Sequence, residues 1–69
     1  MTTGQLIKEK LRINHIKQRE LAELTQVTEI AVCKWVADKT MPASDKVIMV
    51  CETLSITPNE WFDALRESA

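Results

Sequence analysis

The sequence predicts an all-α fold, a compact bundle of about five short helices, and three observations carry that prediction. Apolar residues recur at helical spacing from Leu6 to Leu65. Val, Ile and Thr never alternate with polar residues for long enough to suggest a strand. Cap residues and prolines fall between the periodic segments, where helices should start and stop. Sixty-nine residues suffice for one small core and not for two, so 1–69 is read as a single domain without linker or repeat. A hydrophobic content of 45% with no biased tract separates the chain from disordered sequences.

The first helix is expected over about 3–14. Thr2 and Gln5 stand at capping-box spacing, Leu6, Ile7 and Leu11 form the inward stripe, and Ile16 anchors the following turn. The second covers about 18–25 with Leu21, Ala22 and Leu24 as its buried side. After Gln26 and Val27, the Thr28 hydroxyl caps a third helix, about 28–37. Its core face is Val32, Trp35 and Val36, joined by Val27; Glu29, Ile30, Cys33, Lys34 and Ala37 form the opposite face, with Ala31 at the boundary. Pro42 stops helix propagation through DKTMP. The fourth helix, about 44–54, places Val47, Val50, Cys51 and Leu54 at i, i+3, i+4 and i+7. TPNE opens the fifth, about 58–67: Thr57 is the cap, Pro58 the first helical residue and Glu60 the capping-box partner, followed by Trp61, Phe62 and Leu65. Both tryptophans and Phe62 are read as packing residues, whereas Met49, beside Ile48 and off the main stripe, is a candidate for an apolar patch with the last helix.

Composition argues against several functions. His15 has no metal-ligand cluster around it and reads as a turn residue, Gly4 alone cannot make a phosphate-cradling loop, and no nucleophile is paired with a base. No enzyme activity, metal or cofactor is therefore expected. The absence of a long apolar run and of a secretion signal points to a cytoplasmic protein with no membrane partner. Cys33 and Cys51 then read as free thiols, with a redox role for an exposed Cys33 as the lesser reading. Charge is uneven: residues 1–40 carry seven Lys/Arg against five Asp/Glu (+2), and residues 41–69 two against five (−3).

The stretches IKQRELAELTQVT, EIAVCKWVADKTMP and VIMVCETLSITPNEWF resemble, over nearly the whole chain, the λ-repressor-like helix-turn-helix family, also called the Cro/CI or XRE type. Gln18, Leu21, Ala22, Val27, Thr28, Val32, Trp35, Pro42, Leu54 and Ile56 stand at that family's marker positions. The resemblance implies a sequence-specific DNA-binding transcriptional regulator, a bacterial or phage repressor, acting as a homodimer on a double-stranded, pseudo-palindromic operator. Its third helix would enter the major groove. Carried over by position, Thr28, Glu29, Ile30 and Lys34 face bases, Gln18 lies against a phosphate, and Lys39 and Thr40 touch the backbone beyond the recognition helix.

The chain departs from the family where glycines are usual, carrying Gln26 in the turn and Asp38 after the third helix. A left-handed Gln26 is expected to cost on the order of 1 kcal/mol, and Asp38 to place a negative charge near the phosphate that Lys39 should neutralise. Leu11 and Val36 replace a family Arg–Glu pair, which exchanges an ion pair for a dry contact. The slightly acidic balance leaves an alternative of another class: a protein-interaction module, an anti-repressor or modulator, that binds a protein partner through the Glu29, Ile30 and Cys33 face or the Met49 patch.

Overall fold

A computed structural model describes residues 1–68; Ala69, the last residue assigned to the domain, lies outside the described residues. The chain forms five helices, α1 (Thr3–Ile13), α2 (Gln18–Thr25), α3 (Glu29–Val36), α4 (Ser44–Leu54) and α5 (Pro58–Ser68), with no strand among the described residues. The expected spans hold to within one residue. Asn14 closes α1 from outside it, and Thr28 and Ala37 flank α3.

α1 is the hub, packing against α3, α4 and α5, while α2 packs on α3 and α4. That placement buries Leu6, Ile7 and Leu11, and around them gather Leu21, Val32, Trp35, Val50, Leu54, Ile56 and Trp61. Ile7, Leu21, Val32, Val50 and Leu54 are fully enclosed. Each such side chain stabilises the fold by about 1.5–3 kcal/mol relative to exposure.

Two expected core residues are not in the core. Leu24 is 56% exposed, and Thr25 is fully buried in its stead. The α2 stripe is Gln18, Leu21, Ala22 and Thr25 at i, i+3, i+4 and i+7, so helical phase overrides the greater hydrophobicity of Leu24. The buried Thr25 hydroxyl donates to the Leu21 carbonyl at 2.7 Å, which removes the cost of enclosing it. Phe62 is likewise 56% exposed: Trp61, Ala64 and Leu65 take the inward side of α5 and leave it one step round the helix.

The N-termini of α1, α3 and α5 are capped as the sequence indicates. Thr2 and Gln5 form a reciprocal capping box on α1, and Thr57 and Glu60 exchange the same pair of bonds on α5. The C-terminal ends share one device. His15, Gln26, Asp38 and Ser55 all adopt left-handed backbone, with φ of 56°, 59°, 60° and 57°. In each case the next N–H reaches back to the helix: Ile16 to the Leu11 carbonyl, Val27 to Ala22, Lys39 to Lys34 and Ile56 to Cys51, all at 2.9–3.0 Å. Ile16, Val27 and Ile56 then pack into the core, the apolar contact that accompanies this closure.

Gly4 fixes how α1 meets α3. A β-carbon there would lie 2.6 Å from the Trp35 and Val36 carbonyl oxygens and 2.7 Å from Asp38 Oδ1. The first turn of α1 thus rests directly on the C-terminal carbonyls of α3, and only glycine permits that approach.

Candidate nucleic-acid interface

The α2–α3 unit is built from the turn outward. Gln26 ends α2 in the left-handed conformation, Val27 tucks inward, and the Thr28 hydroxyl accepts from the Ala31 N–H at 3.2 Å to start α3. Val32 and Trp35 bury the inner side of α3 and Val36 is half-buried beside them. Ile30, Cys33, Lys34 and Ala37 follow at i, i+3, i+4 and i+7 on the outer side, all exposed, with Glu29 exposed at its first position. Ile30, at 69%, is the most exposed of the large hydrophobic residues. An aliphatic side chain held in water on an otherwise satisfied helix is available for contact with an apolar group.

The candidate residues fall in three places. Glu29, Ile30 and Lys34 lie together on the outer face of α3. Lys39 and Thr40 stand past its C-terminal end, beside Thr2, Thr3 and Ser68 in a shallow depression, about 12 Å of helix from Glu29. Gln18 opens α2 and is half-buried. Thr28 is exposed but its hydroxyl is engaged as the cap, so its part is to set the direction of α3.

Charges divide according to whether they have a partner. Lys10, Arg12, Arg19 and Arg66 are in ion pairs with Glu60, Glu9, Glu23 and Asp63. Lys8, Lys17, Lys34, Lys39 and Lys46 have no ion-pair partner among the described residues, and of these Lys17, Lys34 and Lys39 are exposed in or beside α2 and α3. Lys17, the residue before α2, was not singled out from the sequence; its signal was its place next to Gln18 at a helix start, where the helix dipole also favours an anion. Glu29 is the one carboxylate of the face and has no hydrogen-bonding partner among the described residues.

Asp38 does not take up the position expected of it. Its Oδ1 accepts from the Gly4 N–H at 2.9 Å and its Oδ2 from the Thr2 hydroxyl at 2.6 Å. The carboxylate caps the positive end of α1 and is turned on the fold, not outward beside Lys39. Two charge-assisted bonds and the helix dipole explain an acidic residue at this left-handed position.

Cys33 is exposed and Cys51 half-buried, both as free thiols. Burial, and secondarily the Glu60 carboxylate, push the Cys51 thiol above its ordinary pKa, which keeps it protonated and inert near neutrality. Comparison with family profiles, with curated proteins and with solved structures gives no match. Among the described residues no group of three His, Cys, Asp or Glu is placed to hold a metal ion, and no helix is long and apolar enough to cross a membrane.

A second apolar surface lies away from α3. A groove of about 610 Å³ runs between α4 and α5, lined chiefly by Val47, Ile48, Cys51, Trp61, Phe62 and Leu65 and closed at one end by Met41 and Pro42. The expected patch with α5 thus exists, but Ile48 supplies it; Met49 is half-buried and does not line it.

Proposed function

We propose that the chain is a sequence-specific DNA-binding regulator of transcription, a repressor of the λ-repressor-like helix-turn-helix type. It acts in the cytoplasm, with two copies on the halves of a pseudo-palindromic operator. The observation that supports the reading is α3 itself: a short, well-capped helix with a fully exposed outer face, backed by a tightly packed α2 and bordered by three lysines without ion-pair partners. The N-terminal part of α3 would enter the major groove. There Lys34 donates to guanine O6 or N7, Ile30 packs on a thymine methyl and Glu29 accepts from cytosine N4. Gln18, Lys39 and Thr40 hold the backbone, and Thr28 fixes the approach. Occupation of the operator excludes polymerase.

Glu29 serves mainly to discriminate, since a carboxylate facing guanine or thymine, which present no donor in the major groove, is left unpaired and repelled by phosphate. The engagement of Asp38 with α1 leaves Lys39 available to a phosphate. A gel-shift titration with the DNA upstream of the chain's own gene, at low and moderate salt, tests the assignment. Lys34→Ala is expected to cost about 1–3 kcal/mol and to relax specificity at one position. Lys39→Ala should weaken binding to all sequences and reduce the salt slope by about 1. Unchanged affinity and slope in both variants would overturn the placement.

A further inference from the structure

The segment that follows α3 is held from the far end of the sequence, by three consecutive residues at the start of α1. The Thr2 hydroxyl donates to Asp38 Oδ2 at 2.6 Å, the Gly4 N–H donates to Asp38 Oδ1 at 2.9 Å, and the Thr3 hydroxyl donates to Met41 Sδ at 3.4 Å. Pro42, the next residue, is buried. Both ends of the segment are thus fixed. Lys39 and Thr40 between them are exposed, and their side chains have no hydrogen-bonding or ion-pair partner among the described residues.

Asp38 is unfavourable at its position on two counts. Its backbone is left-handed, with φ of 60°, a conformation that glycine adopts without a Cβ penalty. Its carboxylate also brings negative charge next to Lys39, the lysine assigned to a phosphate, and so works against a polyanion. Glycine would avoid both. It would also leave the segment without its tie to α1 and with the widest backbone freedom of any residue. Asp38 replaces that freedom with two charge-assisted bonds that reach back 34 and 36 residues along the chain. Gly4 makes the reach possible, since a β-carbon there would lie 2.7 Å from Asp38 Oδ1. A segment already ordered in the free protein loses less conformational freedom when Lys39 and Thr40 settle on a phosphate.

We propose that Asp38 is a positioning residue for the DNA backbone contact: by tying the segment after α3 to Thr2 and Gly4, it presents Lys39 and Thr40 to the phosphate in one preset arrangement. The assignment rests on the reading of α3 and the segment behind it as a DNA-binding face. Asp38 does not touch DNA and acts through its two neighbours. Its charge opposes binding while its bonds favour it, so substitution separates the two. Asp38→Asn removes the charge and keeps the tie, because the amide oxygen accepts from the Gly4 N–H and the amide nitrogen donates to the Thr2 hydroxyl. Asp38→Gly removes charge and tie together and suits the left-handed backbone. The two variants carry the same charge and differ in the tie.

The test measures binding of the full chain and its variants to two labelled duplexes, the DNA upstream of the chain's own gene and one of arbitrary sequence, by fluorescence anisotropy at low salt. Backbone amide relaxation of the free proteins is measured by NMR beside it, and circular dichroism checks that each variant is folded. Asp38→Asn is expected to bind both duplexes more tightly than the wild type. Asp38→Gly should bind both about tenfold more weakly than Asp38→Asn, the loss that comes from ordering one or two side chains on binding. Thr2→Ala keeps the Asp38 charge and should bind about threefold more weakly than the wild type, with Thr2→Ser restoring the affinity. In the free proteins the order parameters of Lys39 and Thr40 should stay near the rigid value of about 0.85 in the wild type and Asp38→Asn and fall toward about 0.6 in Asp38→Gly. Equal binding by Asp38→Asn and Asp38→Gly, with the wild type still binding, overturns the assignment and leaves the DNA reading standing; so does unchanged order in Asp38→Gly. A wild type that binds neither duplex overturns the DNA reading, and this role with it.

Discussion

Gly4 shows how one missing methyl group orients two helices. In an exposed helix interior, glycine to alanine would gain about 1 kcal/mol of helix propensity. Here the added β-carbon would lie within 2.7 Å of two backbone carbonyls and a capping carboxylate, none of them the free end of a flexible chain. Gly4→Ala should therefore destabilise the protein, by about 1–3 kcal/mol as in other overpacked sites, read as a lower midpoint in urea. Asp38→Ala, which removes the cap bonds to Gly4 and Thr2, should cost about 1–2 kcal/mol. A midpoint unchanged in either variant contradicts the account of this junction. Little of it was legible from the sequence. Gly4 reads only as a weak helix former and Asp38 as a misplaced charge, because a contact across 34 residues leaves no trace in local spacing.

Helices were the legible level, and the reason is redundancy. Cap residues, prolines and apolar phase each mark the same boundaries, so Thr2 with Gln5, Thr28, and Thr57 with Glu60 could be located in advance and all make the expected bonds. Faces were less secure where phase and hydrophobicity disagree: Leu24 lies outside and Thr25 inside. The outer face of α3 was legible for the same reason its inner face was, since Val32 and Trp35 fix the rotation of the helix and everything opposite them follows. The four C-terminal ends offer a separate test. Each uses a left-handed residue with a side chain where glycine carries no steric penalty. Gln26→Gly and Ser55→Gly should each stabilise by up to about 1 kcal/mol, seen as a raised melting temperature. A fall in melting temperature would mean that these side chains contribute contacts outweighing the backbone strain.

Over the whole molecule, the first and last helices are joined by an ion pair, Lys10 to Glu60 at 3.0 Å. The Thr57 backbone N–H, then the Lys10 ammonium, hold the Glu60 carboxyl below the ordinary carboxylate range. A lowered folded-state pKa contributes stability that is complete above the unfolded value, about 4.3, and is lost as the pH falls through the folded value. Melting temperatures should therefore drop on acidification below about pH 4.3, and less steeply in Glu60→Gln. An equally steep acid limb in the variant would place the effect elsewhere. The α4–α5 groove was the least legible large feature. Its walls were recognisable as helices, but which apolar residues the packing would leave without neighbours depends on how two consecutive helices, both distant from α1 in sequence, settle on it. The two indoles, finally, sit where they can be told apart. Trp35 backs the outer face of α3, Trp61 lines the groove, and the chain has no tyrosine. The intrinsic fluorescence thus comes from one chromophore behind each candidate surface, making the unlabelled protein its own two-site optical reporter.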